Sequence, residues 1–271
     1  MSNMSSTQHN TRSKGYAPAK AFKTILADRS GSMFSFCGKQ YDMAEHLLQD
    51  AKKQATETQK PTDLTFVTFD DQVEFLMRDS DLLTDDIPLR KELEAALHPR
   101  STTRFNDTLI EQVAALVLKK DAYVNSLSNS ARKLNPDVAM VLIAITDGED
   151  NVSTASQAET REKMLEFRKN GGRAILMAAN MDAEKVGTAY GFNPEKAITV
   201  HNSDEQAIEF CYRAVSNMAR NMTQGIDAPF TQLQRASSQQ VCYDDEEDFM
   251  DANANAMYLP QLPPLTRNQN Y

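Results

Sequence analysis

A chain of 271 residues with 41% apolar and 25% charged side chains can bury one core of about 200 residues and still carry polar tails. No stretch approaches the roughly 18 apolar residues that cross a bilayer, and no basic stripe offers counterion release to nucleic acid, so membrane and nucleic-acid partners are both disfavoured. The net charge is −9, but Asp244, Asp245, Glu246, Glu247, Asp248 and Asp251 supply six of those negatives, which leaves the rest only mildly acidic.

Residues 1–20 are polar and read as a disordered tail. They hold no apolar signal-peptide core, so a cytoplasmic location is expected. Cys37, Cys211 and Cys242 are too few and odd in number for a disulfide framework, and are expected as reduced thiols. From Phe22 onward short apolar runs alternate with helical periodicity. Strands are expected at Phe22–Ala27, Leu64–Phe69, Val73–Met77, Val138–Ile145, Arg173–Ala178 and Ala197–Val200. Helical stripes run through Ala44, Leu47, Leu48, Ala51 and Ala55, through Leu109, Ile110, Val113, Leu116 and Val117, and through Ile208, Cys211, Val215, Met218 and Met222. Another helix covers Ala155 to Lys169 and is stopped by Asn170-Gly171-Gly172.

Strands 64–69 and 73–77, joined by Asp70-Asp71-Gln72, read as a hairpin that adds one antiparallel edge strand. Elsewhere the alternation implies an α/β fold, a doubly wound, mostly parallel sheet with helices on both faces. The unbroken run Val138–Ile145 suits a central strand buried on both sides. Residues 125–137 form a polar insertion. After Met222 the periodicity stops, so the organisation expected is a tail over 1–20, one domain over 21–223, and a mainly disordered acidic and Pro-containing tail over 224–271.

Open parallel sheets bind ligands at the carboxyl ends of their strands, and three loops leaving that edge carry oxygen donors. They are Asp28-x-Ser30-x-Ser32, the stretch Ser101 to Asp107, and Thr146-Asp147-Gly148-Glu149-Asp150. The first holds one carboxylate and two hydroxyls within five residues, which suits a hard divalent cation. The four histidines (His9, His46, His98, His201) lie in no ligand spacing, so zinc is not expected. A G-x-x-x-x-G-K-[ST] loop and a G-x-S-x-G elbow are both absent, and no histidine base lies in the three loops. Enzymatic activity is therefore not expected.

With these residues in register, the chain resembles a von Willebrand factor A domain with a metal-ion-dependent adhesion site. The family pattern is D-x-S-x-S, a threonine about 70 residues later, and an aspartate ending a hydrophobic strand, matched here by Asp28, Ser30, Ser32, Thr103 and Asp147 over roughly residues 20–222. The resemblance implies that Ser30 and Ser32 ligate Mg²⁺ directly, with Mn²⁺ or Ca²⁺ as alternatives. Thr103 ligates directly or through water, while Asp28 and Asp147 act through bound waters. Neutral hydroxyls leave the ion most of its charge and an open position for a partner's Asp or Glu. Many members have glycine before the threonine, where this chain has Ser101-Thr102.

Neighbouring residues have blander roles. Asp107 is open to reading as an extra ligand but is expected to cap or begin the next helix, Glu149 and Asp150 to form a solvated rim, and Asp70 and Asp71 to shape the hairpin turn. Phe34 and Phe36 either rim the site or pack under its loop. Arg29, Arg100 and Arg104 either bias the mouth toward an acidic partner or are plain surface charge. The segment Arg173 to Phe192 resembles one in compact bacterial and phage-type members.

The leading functional expectation is an intracellular adaptor that captures a partner's acidic side chain, as family members do beside AAA ATPases of the MoxR kind. The alternative is an assembly component of a virion or phage-induced complex, in host cytoplasm or virion. In that case the viral structural partner engages the tail, with Leu259–Leu265 docking as an extended segment. A third idea lets the acidic run Asp244–Asp251 occupy the metal mouth as a tethered ligand.

Overall fold

The computed structural model describes residues 19–134, 136–147, 150–201 and 205–239. In chain order the elements are β1 (Lys20–Asp28), a 3₁₀ turn (Gly31–Phe36), α1 (Lys39–Thr58), β2 (Thr62–Phe69), β3 (Val73–Asp81), α2 (Arg90–Ala96), α3 (Phe105–Ser126) and α4 (Asn129–Lys133). They continue with β4 (Val138–Thr146), α5 (Gln157–Lys169), β5 (Gly172–Ala179), α6 (Ala183–Ala189), a second 3₁₀ turn (Pro194–Lys196), β6 (Ala197–Val200), α7 (Glu205–Thr223) and α8 (Gln232–Gln239).

One six-stranded sheet runs β3-β2-β1-β4-β5-β6. All pairs are parallel except β2–β3, which is the expected antiparallel edge. Every residue of β4 is buried, because period-2 alternation sends neighbours to opposite but equally covered faces. Val141, Ile143 and Ile145 join Ile25 and Ala27 in a core roofed by α1 and α7. Met140, Leu142 and Ala144 join Phe22 and Leu26 in a second core under α3, α5 and α6. The fold is thus the doubly wound α/β sheet that the alternation implies.

Boundaries moved in physically instructive ways. β3 extends four residues beyond Met77 because register shifts near Phe66, with Asp79 at φ +54, let Asp81 still face Asp63. The helix expected from Ala155 starts at Gln157, since Ser156 caps it: its Oγ accepts the Glu159 N–H, and Glu159 returns a bond to the Ser156 N–H. Much of the polar insertion is helical, shared between the last turns of α3 and the short α4.

Residues 224–239 correct the expected tail. Phe230 is buried, its N–H donates to the Glu195 carbonyl, and Arg235 of α8 reaches the Pro194 and Ala197 carbonyls. Six polar residues in the eight of α8 hid this helix from a hydrophobic-periodicity reading. The remaining tail readings, over 1–18 and 240–271, fall outside the described residues, as do the Asp244–Asp251 and Leu259–Leu265 ideas. Among the described residues no helix is long and apolar enough to cross a membrane.

Candidate metal site

Parallel strands β1 and β4 lie side by side, so Asp28 and Asp147, at their carboxyl ends, meet at one sheet edge. Asp28 is fully buried and ties the two ends together. Its Oδ1 accepts the Ser30 N–H at 2.7 Å, and its Oδ2 accepts the Thr146 hydroxyl at 2.7 Å. Next along, Ser30 Oγ and Ser32 Oγ are 3.1 Å apart, and the Ser32 hydroxyl donates to Asp147 Oδ1 at 2.7 Å. Asp28, Ser30, Ser32 and Asp147 are therefore joined one to the next by hydrogen bonds, the first through the Ser30 N–H and the other two between side-chain oxygens.

Thr103 arrives on the second loop. The Gly31 N–H donates to the Ser101 carbonyl at 3.0 Å and the Arg100 N–H to the Arg29 carbonyl at 2.8 Å, which lash this loop to the first. Thr103 itself is buried and exchanges bonds with Asn151: its N–H donates to Asn151 Oδ1 at 2.8 Å, and its carbonyl accepts the Asn151 N–H at 3.1 Å. Thus four of the five predicted residues are hydrogen-bonded in sequence, while Thr103 is held beside them through backbone contacts.

Burial pushes the Asp28 carboxyl up to about 6, against the opposing pull of its bonds from Thr146 and Ser30. Burial also raises Asp147, despite the Ser32 hydroxyl bond that lowers it. Among the described residues neither carboxylate has a Lys, Arg or His partner. The same residues contain no group of three His, Cys, Asp or Glu side chains disposed to hold a metal. Any cation here would depend on hydroxyls for its inner ligands, a donor set that suits a hard divalent ion.

Several surrounding residues depart from expectation, while Asp107 stands in the first turn of α3 as expected. Asp150 is not a solvated rim: it accepts the Asn106 N–H at 2.6 Å and both the N–H and hydroxyl of Ser153. Asp107, in the first turn of α3, accepts the Thr154 and Ala155 N–H groups, so these two carboxylates pin the loop after β4 onto α3. Glu149 lies outside the described residues. Asp70 is a fully buried junction rather than a simple turn residue. Arg29 is buried, not displayed at the mouth. Arg100 is bound to Asp70 and Glu74, and Arg104 to Asp107 and Glu111. The two phenylalanines divide the roles offered them, with Phe36 buried and Phe34 60% exposed, edge-on to His98. Sequence reading placed Thr146 in the third loop without giving it a role, and missed Asn151, which directly follows the Asp150 it had singled out.

No family model matches the chain, and no curated protein matches it in sequence. Solved structures do. The pilus adhesin SpaC from Lactobacillus rhamnosus GG superposes with a TM-score of 0.52 at 11% identity, over 79% of this chain and 32% of that one. A von Willebrand factor type A structure from Catenulispora acidiphila gives 0.46 at 15% identity, over 76% and 42%. Proximal thread matrix protein 1 from the mussel byssus gives 0.45 at 16% identity, over 75% and 46%. The chain thus spans less than half the length of each of these.

Proposed function

We propose, from the premise that this chain has the von Willebrand factor A fold, that it is a non-catalytic protein-binding module built around a divalent cation. The observation that carries this reading is the hydrogen-bonded set Asp28–Ser30–Ser32–Asp147 at the adjoining ends of β1 and β4, without a basic partner for either carboxylate among the described residues. The donor set fits Mg²⁺, which takes oxygen ligands in an octahedron and keeps waters readily.

In this reading Ser30, Ser32 and Thr103 present hydroxyls to the ion. Asp28 and Asp147 orient those hydroxyls and accept from bound water, while Thr146 holds Asp28 and Asn151 holds Thr103 in place. Once bound, the cation supplies positive charge and an open coordination position to a partner's Asp or Glu. The finer form of the proposal is a cytoplasmic adaptor using Mg²⁺ in vivo, with an AAA ATPase of the MoxR kind as the partner class. It is supported by the motif resemblance.

Capture of a partner from source lysate tests the reading, run in Mg²⁺, in chelator, and with Ser30→Ala/Ser32→Ala. Capture should be lost in both controls. Specific capture that survives both sinks the metal-dependent module. Deletion of residues 240–271, which spares α8, separates it from the assembly role: the adaptor keeps its partner, whereas a tail-borne interaction disappears.

A further inference from the structure

Arg29 stands between Asp28 and Ser30 in sequence, yet its side chain turns away from the site and is 2% exposed. Its Nη1 donates to Glu74 Oε2 at 2.8 Å and to the Ala96 carbonyl at 3.2 Å. Its Nη2 donates to Asp70 Oδ1 at 3.4 Å, and Nε lies 3.3 Å from Asp70 Oδ2, close enough to pair but too misaligned for a hydrogen bond. Arg100, three residues before Thr103, engages the same two acids, with Nε on Asp70 Oδ2 at 2.5 Å and Nη2 on Glu74 Oε1 at 2.6 Å. Two guanidiniums and two carboxylates thereby close a ring in which each cation touches both anions.

This ring joins three segments. Arg29 belongs to the first site loop and Arg100 to the second, while Asp70 and Glu74 belong to the β2–β3 hairpin. The backbone repeats the pattern: the Arg29 N–H donates to the Phe69 carbonyl, the Arg100 N–H to the Arg29 carbonyl, and the Arg104 N–H to the Asp70 carbonyl. Burying Arg29 and Asp70 costs desolvation that an apolar pair would avoid. What an apolar pair lacks is direction, because planar guanidiniums hold carboxylates in fixed orientation.

We infer that Arg29, Asp70, Glu74 and Arg100 are positioning residues for the cation site, setting the distance between the Ser30/Ser32 loop and the Thr103 loop. The inference rests on the cation reading above. It also makes a prediction of opposite sign to simple electrostatics. Arg100→Ala removes a positive charge near a bound cation, which by charge alone strengthens cation binding. A positioning role requires the reverse, a weakening on the order of tenfold or more, as for other residues that orient metal ligands.

The experiment is an electron paramagnetic resonance titration of Mn²⁺ into the full chain and its variants. Arg100→Ala should bind Mn²⁺ about tenfold more weakly, and Arg100→Lys should recover part of that loss. The charge-neutral pair Glu74→Ala/Arg100→Ala, both half-exposed positions, should also bind weakly, although its net charge is unchanged. Mn²⁺ binding by Arg100→Ala and by the pair as tight as wild type, or tighter, overturns the positioning role. Absence of Mn²⁺ binding by the wild type overturns the cation reading itself, and so tells the two failures apart.

Discussion

Lys23 is a cation on the buried face of β1, where a hydrophobe would pack more cheaply. Its Nζ donates to Gln54 Oε1 at 2.9 Å inside a small enclosure bounded by Leu47, Asp50, Ala51, Ile143, Ala219 and Arg220. Burial first, and Arg220 second, bring it down to about 7, with Asp50 pulling the other way. The sign of the linkage follows. Between about 7 and 10.5 the unfolded chain holds a proton that the folded chain has shed, so folding stability rises as pH climbs through that window. Denaturant unfolding at pH 7 and pH 10 should show this gain, on the order of 1–3 kcal/mol from this group. Lys23→Met should remove its share; an unchanged pH slope in that variant would refute the assignment. Asp28, Ser30, Ser32 and Asp147 could be named from the chain because each motif places them within a few residues of a strand end. The inward turn of Arg29 could not, because its acceptors lie 41 and 45 positions away.

At the scale of elements, the loop before α3 shows how a turn can keep a glycine-like shape without glycine. Ser101 adopts φ +57, a left-handed conformation that costs a side-chain-bearing residue on the order of 1 kcal/mol. Its carbonyl is the acceptor for the Gly31 N–H, so the strained residue also joins the two site loops. Ser101→Gly should therefore be neutral to stabilising by up to about 1 kcal/mol, with Mn²⁺ affinity unchanged. A clear loss of stability by thermal melting would show that its side chain has a role. Strands and long helices were readable because their periods of 2 and 3.6 write burial into the local pattern. The short α2 escaped because only Leu93 within it faces the core, and α8 because its contacts are mostly polar.

For the molecule as a whole, the candidate site is also a joint of the fold. The residues proposed to hold the cation come from the ends of the two central strands and from the loop entering α3, so on the proposed reading a cation that binds only the folded state stabilises all of them together. At roughly a 100-fold excess over Kd that linkage is worth about 2.7 kcal/mol, or roughly 5–10 °C in a domain of this size. Thermal melts should rise by that amount with Mg²⁺ or Mn²⁺ and fall back in chelator. Ser30→Ala/Ser32→Ala should show no such shift; an equal shift in that variant would place the cation elsewhere.

By itself the sequence determined the sheet, its parallel sense and edge hairpin, and the three loops that bring oxygen donors to one end. These follow from repeating local patterns and from the rule that parallel strands share an end. Only the tertiary structure decided that Asp70 is a buried junction, that Asp150 and Asp107 clamp the third loop, and that α8, past Met222, packs against β6 and α7. The physical reason is that charge pairing depends on which remote segments become neighbours in space. A pattern read along one segment carries no information about the partner another segment will provide.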